Sequence, residues 1–176
     1  MKKINKSKYS FYEYDKEYPK LFGKEKLRIK NVLPKGTIIE HVGSTSIPGL
    51  GGKGIIDIAI WTPKNKLKQF IKKLEKIGFN EVLNHPGDDR RIFMQKIKFE
   101  SKKELRVHIH LCLSKEFWNS FIYFRDYLRK NDKERDTYAR IKKEGVRHAK
   151  GKAQKYREFK DNFLNETTKK AIKRLG

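Results

Sequence analysis

Residues 41–60 read His-Val-Gly-Ser-Thr-Ser-Ile-Pro-Gly-Leu-Gly-Gly-Lys-Gly-Ile-Ile-Asp-Ile-Ala-Ile. A glycine-rich segment runs directly into an apolar stretch with one carboxylate in its middle. Gly43, Gly49, Gly51, Gly52 and Gly54 are five of the chain's twelve glycines. Glycine permits positive φ and close backbone approach, so the cluster predicts a loop shaped around something. Ile55–Trp61 is nearly continuous in apolar residues and predicts a central strand. Asp57 inside it needs a cation, hydrogen-bond donors or water, because a bare carboxylate is strongly destabilised among apolar side chains.

The flanking sequence predicts the other layers. Tyr18, Leu21, Phe22, Leu27, Ile29 and Val32 fit an amphipathic helix from Asp15 to Val32, with Asp15 as N-cap and Pro19 in the first turn. Thr37–Val42 reads as a strand that delivers His41 and Gly43-Ser44 to its end. Thr62-Pro63 reads as a helix start, and Gly78 as its close. Phe79–Leu83 predicts a further strand, His85-Pro86-Gly87 a turn, and Arg90–Phe99 with Glu104–Leu113 a hairpin. After Ser114, an N-cap, Phe117, Phe121, Phe124 and Leu128 recur at helical spacing. Asp132 reads as the cap of a second helix, and residues 153–175 as a third. The expected class is α/β (α+β), with a mixed sheet and flanking helices over residues 1–113. A C-terminal helical unit over 114–176 is expected to pack on that core.

Charge narrows the partners. The net charge is +23, from 44 Lys and Arg against 21 Asp and Glu, which favours anionic partners: RNA or other nucleic acid, a nucleotide or another phosphorylated small molecule, or a membrane surface. Lysine dominates and is spread along the chain, so a merely solvated surface is the competing explanation. A lone cysteine, Cys112, fits a reducing compartment. No apolar run approaches a membrane span, and the basic first residues lack the apolar stretch of a signal peptide. No membrane association and a cytoplasmic location are therefore expected.

Glycine-rich backbone with a serine hydroxyl can cradle phosphate oxygens, so Gly43 and Ser44, aided by Lys53, are candidate phosphate-binding residues. A tight crossover between strands explains the same residues. No Walker-type Gly-Lys-Ser/Thr follows at the required spacing. Gly-Ser, twelve intervening residues and an Asp in an apolar strand resemble the nucleotidyltransferase superfamily of the DNA polymerase β type. A closer resemblance is to the GrpB family (UPF0157). It rests on His41–Leu50, Lys53 and Ile55–Ile58, and continues in Arg106–Leu111, Phe124–Arg129, Tyr138 with Lys142, and Tyr156 with Lys160.

The resemblance implies a nucleotidyltransferase-like fold that binds a nucleotide or phosphate ligand with a divalent metal and transfers a nucleotidyl group to some acceptor. A non-catalytic nucleotide- or RNA-binding module is the alternative it leaves. In the superfamily an Asp-x-Asp strand holds the metal, but the second position here is Ala59. Alternation places Arg106, His108 and His110 on one strand face. Asp57, His108 and His110 are thus the candidate metal ligands for Mg, Mn or Zn, with His41 a further neighbour. Asp57 and His110 are the catalytic candidates, the histidine as general base. His41, Arg91, Arg106, Lys142, Tyr156 and Lys160 are candidate substrate contacts. Hydrogen-bonded sheet histidines, salt-bridged arginines and ordinary surface lysines are the plainer readings. Arg125 with Asp126 is expected to fasten the helical unit to the sheet.

Overall fold

The structure is a computed structural model and describes residues 10–82, 90–100, 103–150 and 152–176. In chain order the elements are α1 (Tyr18–Val32), β1 (Ile39–Val42), β2 (Ile56–Trp61), α2 (Leu67–Glu75), β3 (Asn80–Glu81), β4 (Arg91–Glu100), β5 (Lys103–Cys112), α3 (Lys115–Lys130), α4 (Asp132–Ala149) and α5 (Ala153–Leu175). The strands form one sheet in the order β1-β2-β5-β4-β3. Among the described pairings, β2 runs parallel to β5 and the others are antiparallel. The mixed α/β architecture expected from the sequence is present, with the apolar strand β2 held between two neighbours.

Alternation divides the sheet into two faces. On one, Ile39, Ile56, Ile58, Ile60, Met94, Val107, Ile109 and Leu111 meet Ile29 of α1 and Phe70 and Leu74 of α2 in the main core. Each such side chain contributes about 1.5–3 kcal/mol by leaving water. Glu25 of α1 is also fully buried there. Lys96 Nζ at 2.6 Å and Lys98 Nζ at 2.9 Å, both from β4, neutralise it. Burial acts to raise its pKa, but the hydrogen bonds and charges of the two lysines outweigh burial and hold it below the ordinary value.

The other face carries Asp57 and is partly covered by the C-terminal helices. Phe117, Trp118, Phe121 and Ile122 of α3 pack on Val42, Ala59 and Cys112. Ile47 and Leu50, from the glycine-rich loop, are buried among Tyr127, Leu128, Tyr138 and Ala171. The segment after residue 113 therefore shares its core with that loop. Arg125 fastens it as expected: Nη1 donates to Glu40 Oε2 at 2.7 Å and to the His41 carbonyl at 2.9 Å, while Nε pairs with Asp126. Arg129 adds two bonds to the Ser46 carbonyl, at 3.0 and 2.7 Å.

Ser114 caps α3 as expected, its Oγ accepting from the Phe117 N–H at 3.2 Å. The other expected caps are corrected. Asp15 accepts from the Glu17 N–H before α1 begins, and Glu17 holds the N-cap position. Thr62 Oγ1 donates back to the Ile60 carbonyl, and a 3-10 turn (Lys64–Lys66) precedes α2. Asn131 occupies the N-cap position of α4, with Asp132 in the first turn. At the first two sites the side chain found a nearer backbone partner, a standing competitor of capping. The basic arm expected at residues 1–8 and the turn at His85-Pro86-Gly87 lie outside the described residues. No described helix is long and apolar enough to cross a membrane.

Candidate functional site

Val42 of β1 and Asp57 of β2 are register partners, so the loop that leaves β1 starts directly over the carboxylate. Gly43 turns there at φ +68°, and a Cβ on it would collide with Asp57 Oδ2. Both the left-handed backbone and the missing side chain are required at this point. The Ser44–Ser46 turn is closed by Ser46 Oγ donating to the Gly43 carbonyl at 2.6 Å. Thr45 Oγ1 donates to the Ile55 carbonyl at 2.9 Å, joining the two ends of the loop.

With its proton committed to Ile55, Thr45 Oγ1 accepts from His41 Nε2 at 3.0 Å. His41 lies beside Ile58 in the register and stacks on Phe22 of α1 at 4.5 Å. It therefore faces the opposite side of the sheet from Asp57, which corrects its expected place in the site: sixteen residues separate the two in sequence, but an antiparallel register decides their faces. Burial pushes its pKa down to about 4. With Tyr14, Phe22, Pro48 and Arg129, His41 lines a separate cavity of about 500 Å³ at the edge of β1.

Asp57 Oδ1 lies 3.2 Å from His108 Nδ1 and 3.6 Å from His110 Nε2. Arg91 Nη1 stands 2.6 Å from His110 Nδ1. A guanidinium can only donate, so Nδ1 accepts, and the neutral ring carries its proton on Nε2, towards Asp57. Burial acts to raise the Asp57 pKa, yet the two imidazoles outweigh it and hold the carboxyl well below the usual range. Burial lowers the His110 pKa, with Asp57 opposing. The carboxylate that looked unsupported in the sequence is satisfied by imidazole donors.

This arrangement does not suit a metal held by all three side chains. His110 turns an N–H, not a lone pair, towards Asp57, and its other nitrogen is taken by Arg91. Among the described residues no group of three His, Cys, Asp or Glu is arranged to hold a metal ion. Ala59 explains part of this: it is fully buried beneath the α3 aromatics, where a second carboxylate would have no water. Asp57 Oδ2 lies close against Gly43, on the loop side of the carboxylate.

Cations gather on the helical side of the loop. Lys142 of α4 is 3% exposed. Its Nζ donates to the Gly51 carbonyl and lies 4.8 Å from the centre of the Tyr138 ring. A Cβ on Gly52 would stand 2.6 Å from Ser44 Oγ and 3.1 Å from Lys142 Nζ, so hydroxyl and amine flank one glycine. Burial first, then Lys160 and Lys53, push the Lys142 pKa down to about 7 against the pull of Asp57. Lys53 sits 5.3 Å over the buried Tyr156 ring. Burial lowers its pKa, Asp57 opposes, and Lys160, Arg106 and Arg157 add to the lowering. Lys160 pairs with Asp161 at 2.9 Å and Arg106 with Glu104 at 2.6 Å.

The structure thus brings together Gly43, Ser44, Lys53, Asp57, His108, His110, Lys142, Tyr156 and Lys160. Arg91 serves His110, and Arg106 lies further along β5. Sequence reasoning missed Arg157, although its spacing of three residues from Lys160 put both on one helix face.

The family description "GrpB protein" matches residues 9–170. The chain belongs to the GrpB family. It is 35% identical over 162 residues to a UPF0157 protein of Halalkalibacterium halodurans, covering 90% of this chain and 80% of that protein. To the glutamate-rich protein GrpB of Alkalihalophilus pseudofirmus it is 25% identical, covering 93% and 98%. The crystal structure of conserved protein GrpB from Enterococcus faecalis superposes with a TM-score of 0.78 at 27% identity, covering 94% of this chain and 98% of that one. The Cid1 poly(U) polymerase matches at a TM-score of 0.42 and 11% identity over 73% of this chain and 44% of its own, too distant to bear on function.

Proposed function

We propose that this GrpB protein binds the phosphate groups of a nucleotide or a similar phosphorylated small molecule at the corner of Gly43, Ser44, Lys53 and Lys142. The observation that carries the reading is Lys142, a lysine enclosed beside the Ser44 hydroxyl with two further lysines around it. Burial first, and then repulsion from Lys160 and Lys53, disfavours the proton on its amine. A phosphate dianion relieves that repulsion, and the charges of Lys160, Arg106 and Arg157, which bear on Lys53, add to the attraction. Asp57 meets the ligand through a divalent ion carried in on the phosphates, not through a resident one. Phosphate binding is the function proposed, because His110 has neither ring nitrogen available to act as a base.

Calorimetry with ATP, UTP and pyrophosphate, each with and without Mg²⁺, tests this. All three are expected to bind, Ser44→Ala to weaken them and Lys142→Met to abolish them. Binding that survives both substitutions places the ligand elsewhere, and no binding by any of the three sinks the proposal.

A further inference from the structure

Along β4 and β5 the face that carries Asp57 continues outward as a row of side chains. The register pairs Phe93 with His110, Gln95 with His108, Ile97 with Arg106 and Phe99 with Glu104. Phe93 stands 4.8 Å from the His108 ring and 5.4 Å from the His110 ring, so the row begins at the partners of Asp57. On the far face Leu105, Val107 and Ile109 are buried in the core. On this face Ile97 is 51% and Phe99 74% exposed. Two large apolar side chains, Ile97 and Phe99, thus stand side by side at the surface on the face that leads to the cationic corner, while Phe93 at the inner end is half-buried under His108, His110 and Arg91.

We infer that this face of the β4–β5 ribbon, from Phe93 to Phe99, is a docking platform for single-stranded nucleic acid whose end reaches the phosphate corner. The inference rests on the phosphate-binding reading above and names a second ligand beside that site. Residues on one strand face repeat at about 6.8 Å, so Phe93 to Phe99 spans about 20 Å. Sheet-borne aromatics stack two or three bases over such a row. Stacking on apolar rings next to arginine and lysine is the usual way to hold single strands without reading their sequence. The charge of +23 selects the occupant further. A second copy of this chain would bring two strongly positive surfaces together, whereas a polyanion is attracted by the same field. Glu104, the acidic residue of the row, is already paired with Arg106.

Fluorescence anisotropy with labelled strands of about twelve nucleotides, oligo-rU and oligo-dT, at low salt tests the platform. Single strands are expected to bind, and a duplex of equal length to compete poorly. Phe99→Ala should weaken binding about tenfold without changing the melting temperature or ATP binding. Leu27→Ala, at a position 62% exposed on α1, should do nothing. The platform is overturned if Phe99→Ala binds single strands as the parent does, if single strands fail to bind, or if duplex competes equally. It is also overturned if the parent is a dimer that Phe99→Ala dissociates. Failure of strands with ATP binding intact removes the platform alone; failure of ATP removes the phosphate reading.

Discussion

Gly43 and Asp57 form a mutually dependent pair, since one must lack a Cβ for the other to fit. Gly43→Ala combines a left-handed backbone with a collision against Asp57, and a loss of about 2–3 kcal/mol is expected in urea titration. A loss below about 0.5 kcal/mol would mean that the carboxylate moves freely. Lys142 has a signature of its own. Its folded pKa of about 7 lies below the ordinary 10.5. Between those values the unfolded chain holds a proton that the folded chain has released, so stability rises with pH across that window. Below about pH 7 the buried charge weighs fully against folding. Lys142→Met should therefore be more stable than the parent at pH 6 and lose that advantage by pH 10. Parallel pH profiles for the two proteins would remove the buried charge as its cause. Asp57 has the same slope in a more acidic window: its depressed pKa contributes stability above the ordinary carboxylate range, and that stability is lost as the medium becomes acidic.

Among the elements, α1 is fixed to β4 by Glu25 with Lys96 and Lys98. Glu25→Gln leaves the buried Lys96 and the partly exposed Lys98 without their counter-charge and should cost about 3 kcal/mol by chemical denaturation. Helix α3 sets the other limit. Ala59→Asp, the change that would restore a two-carboxylate strand, buries a charge under Phe121 and Trp118 and should destabilise by about 3 kcal/mol or more without creating metal affinity. Tight metal binding by this variant would show that the α3 aromatics yield. The elements themselves were legible because periodicity reports burial. Ile55–Trp61 and the 104–113 alternation announced β2 and β5, and the stripe from Phe117 to Leu128 announced α3. The glycine cluster and Asp57 marked the corner where the loop meets β2, and the face of β5 that carries His108 and His110 lies beside Asp57 as its alternation implied. His41 was misplaced because the face of an edge strand depends on register, which local sequence does not carry. The direction of the His110 proton depends on Arg91, nineteen residues away. The caps failed because Asp15 and Thr62 each had a closer backbone partner than the helix end.

At the scale of the whole molecule the charge of +23 is carried by 176 residues, and self-repulsion opposes the compact state. Raising NaCl from about 20 to about 300 mM screens it, since the Debye length falls from roughly 20 Å to below 10 Å. The melting temperature should rise by several degrees in a thermal scan. A fall would show that the Glu25 and Arg125 pairings outweigh the repulsion. Ile47 and Leu50 are buried by Tyr127, Leu128, Tyr138 and Ala171, and this has a bearing on synthesis. The loop emerges from the ribosome early, but the side chains that enclose it come up to 124 residues later, the distance from Ile47 to Ala171. A nascent chain that has reached β5 can pair its strands while the loop still lacks its lid of aromatics. Chains halted near residue 113 should accordingly be open to proteases between Gly43 and Gly54, and release of the last helix should close that window.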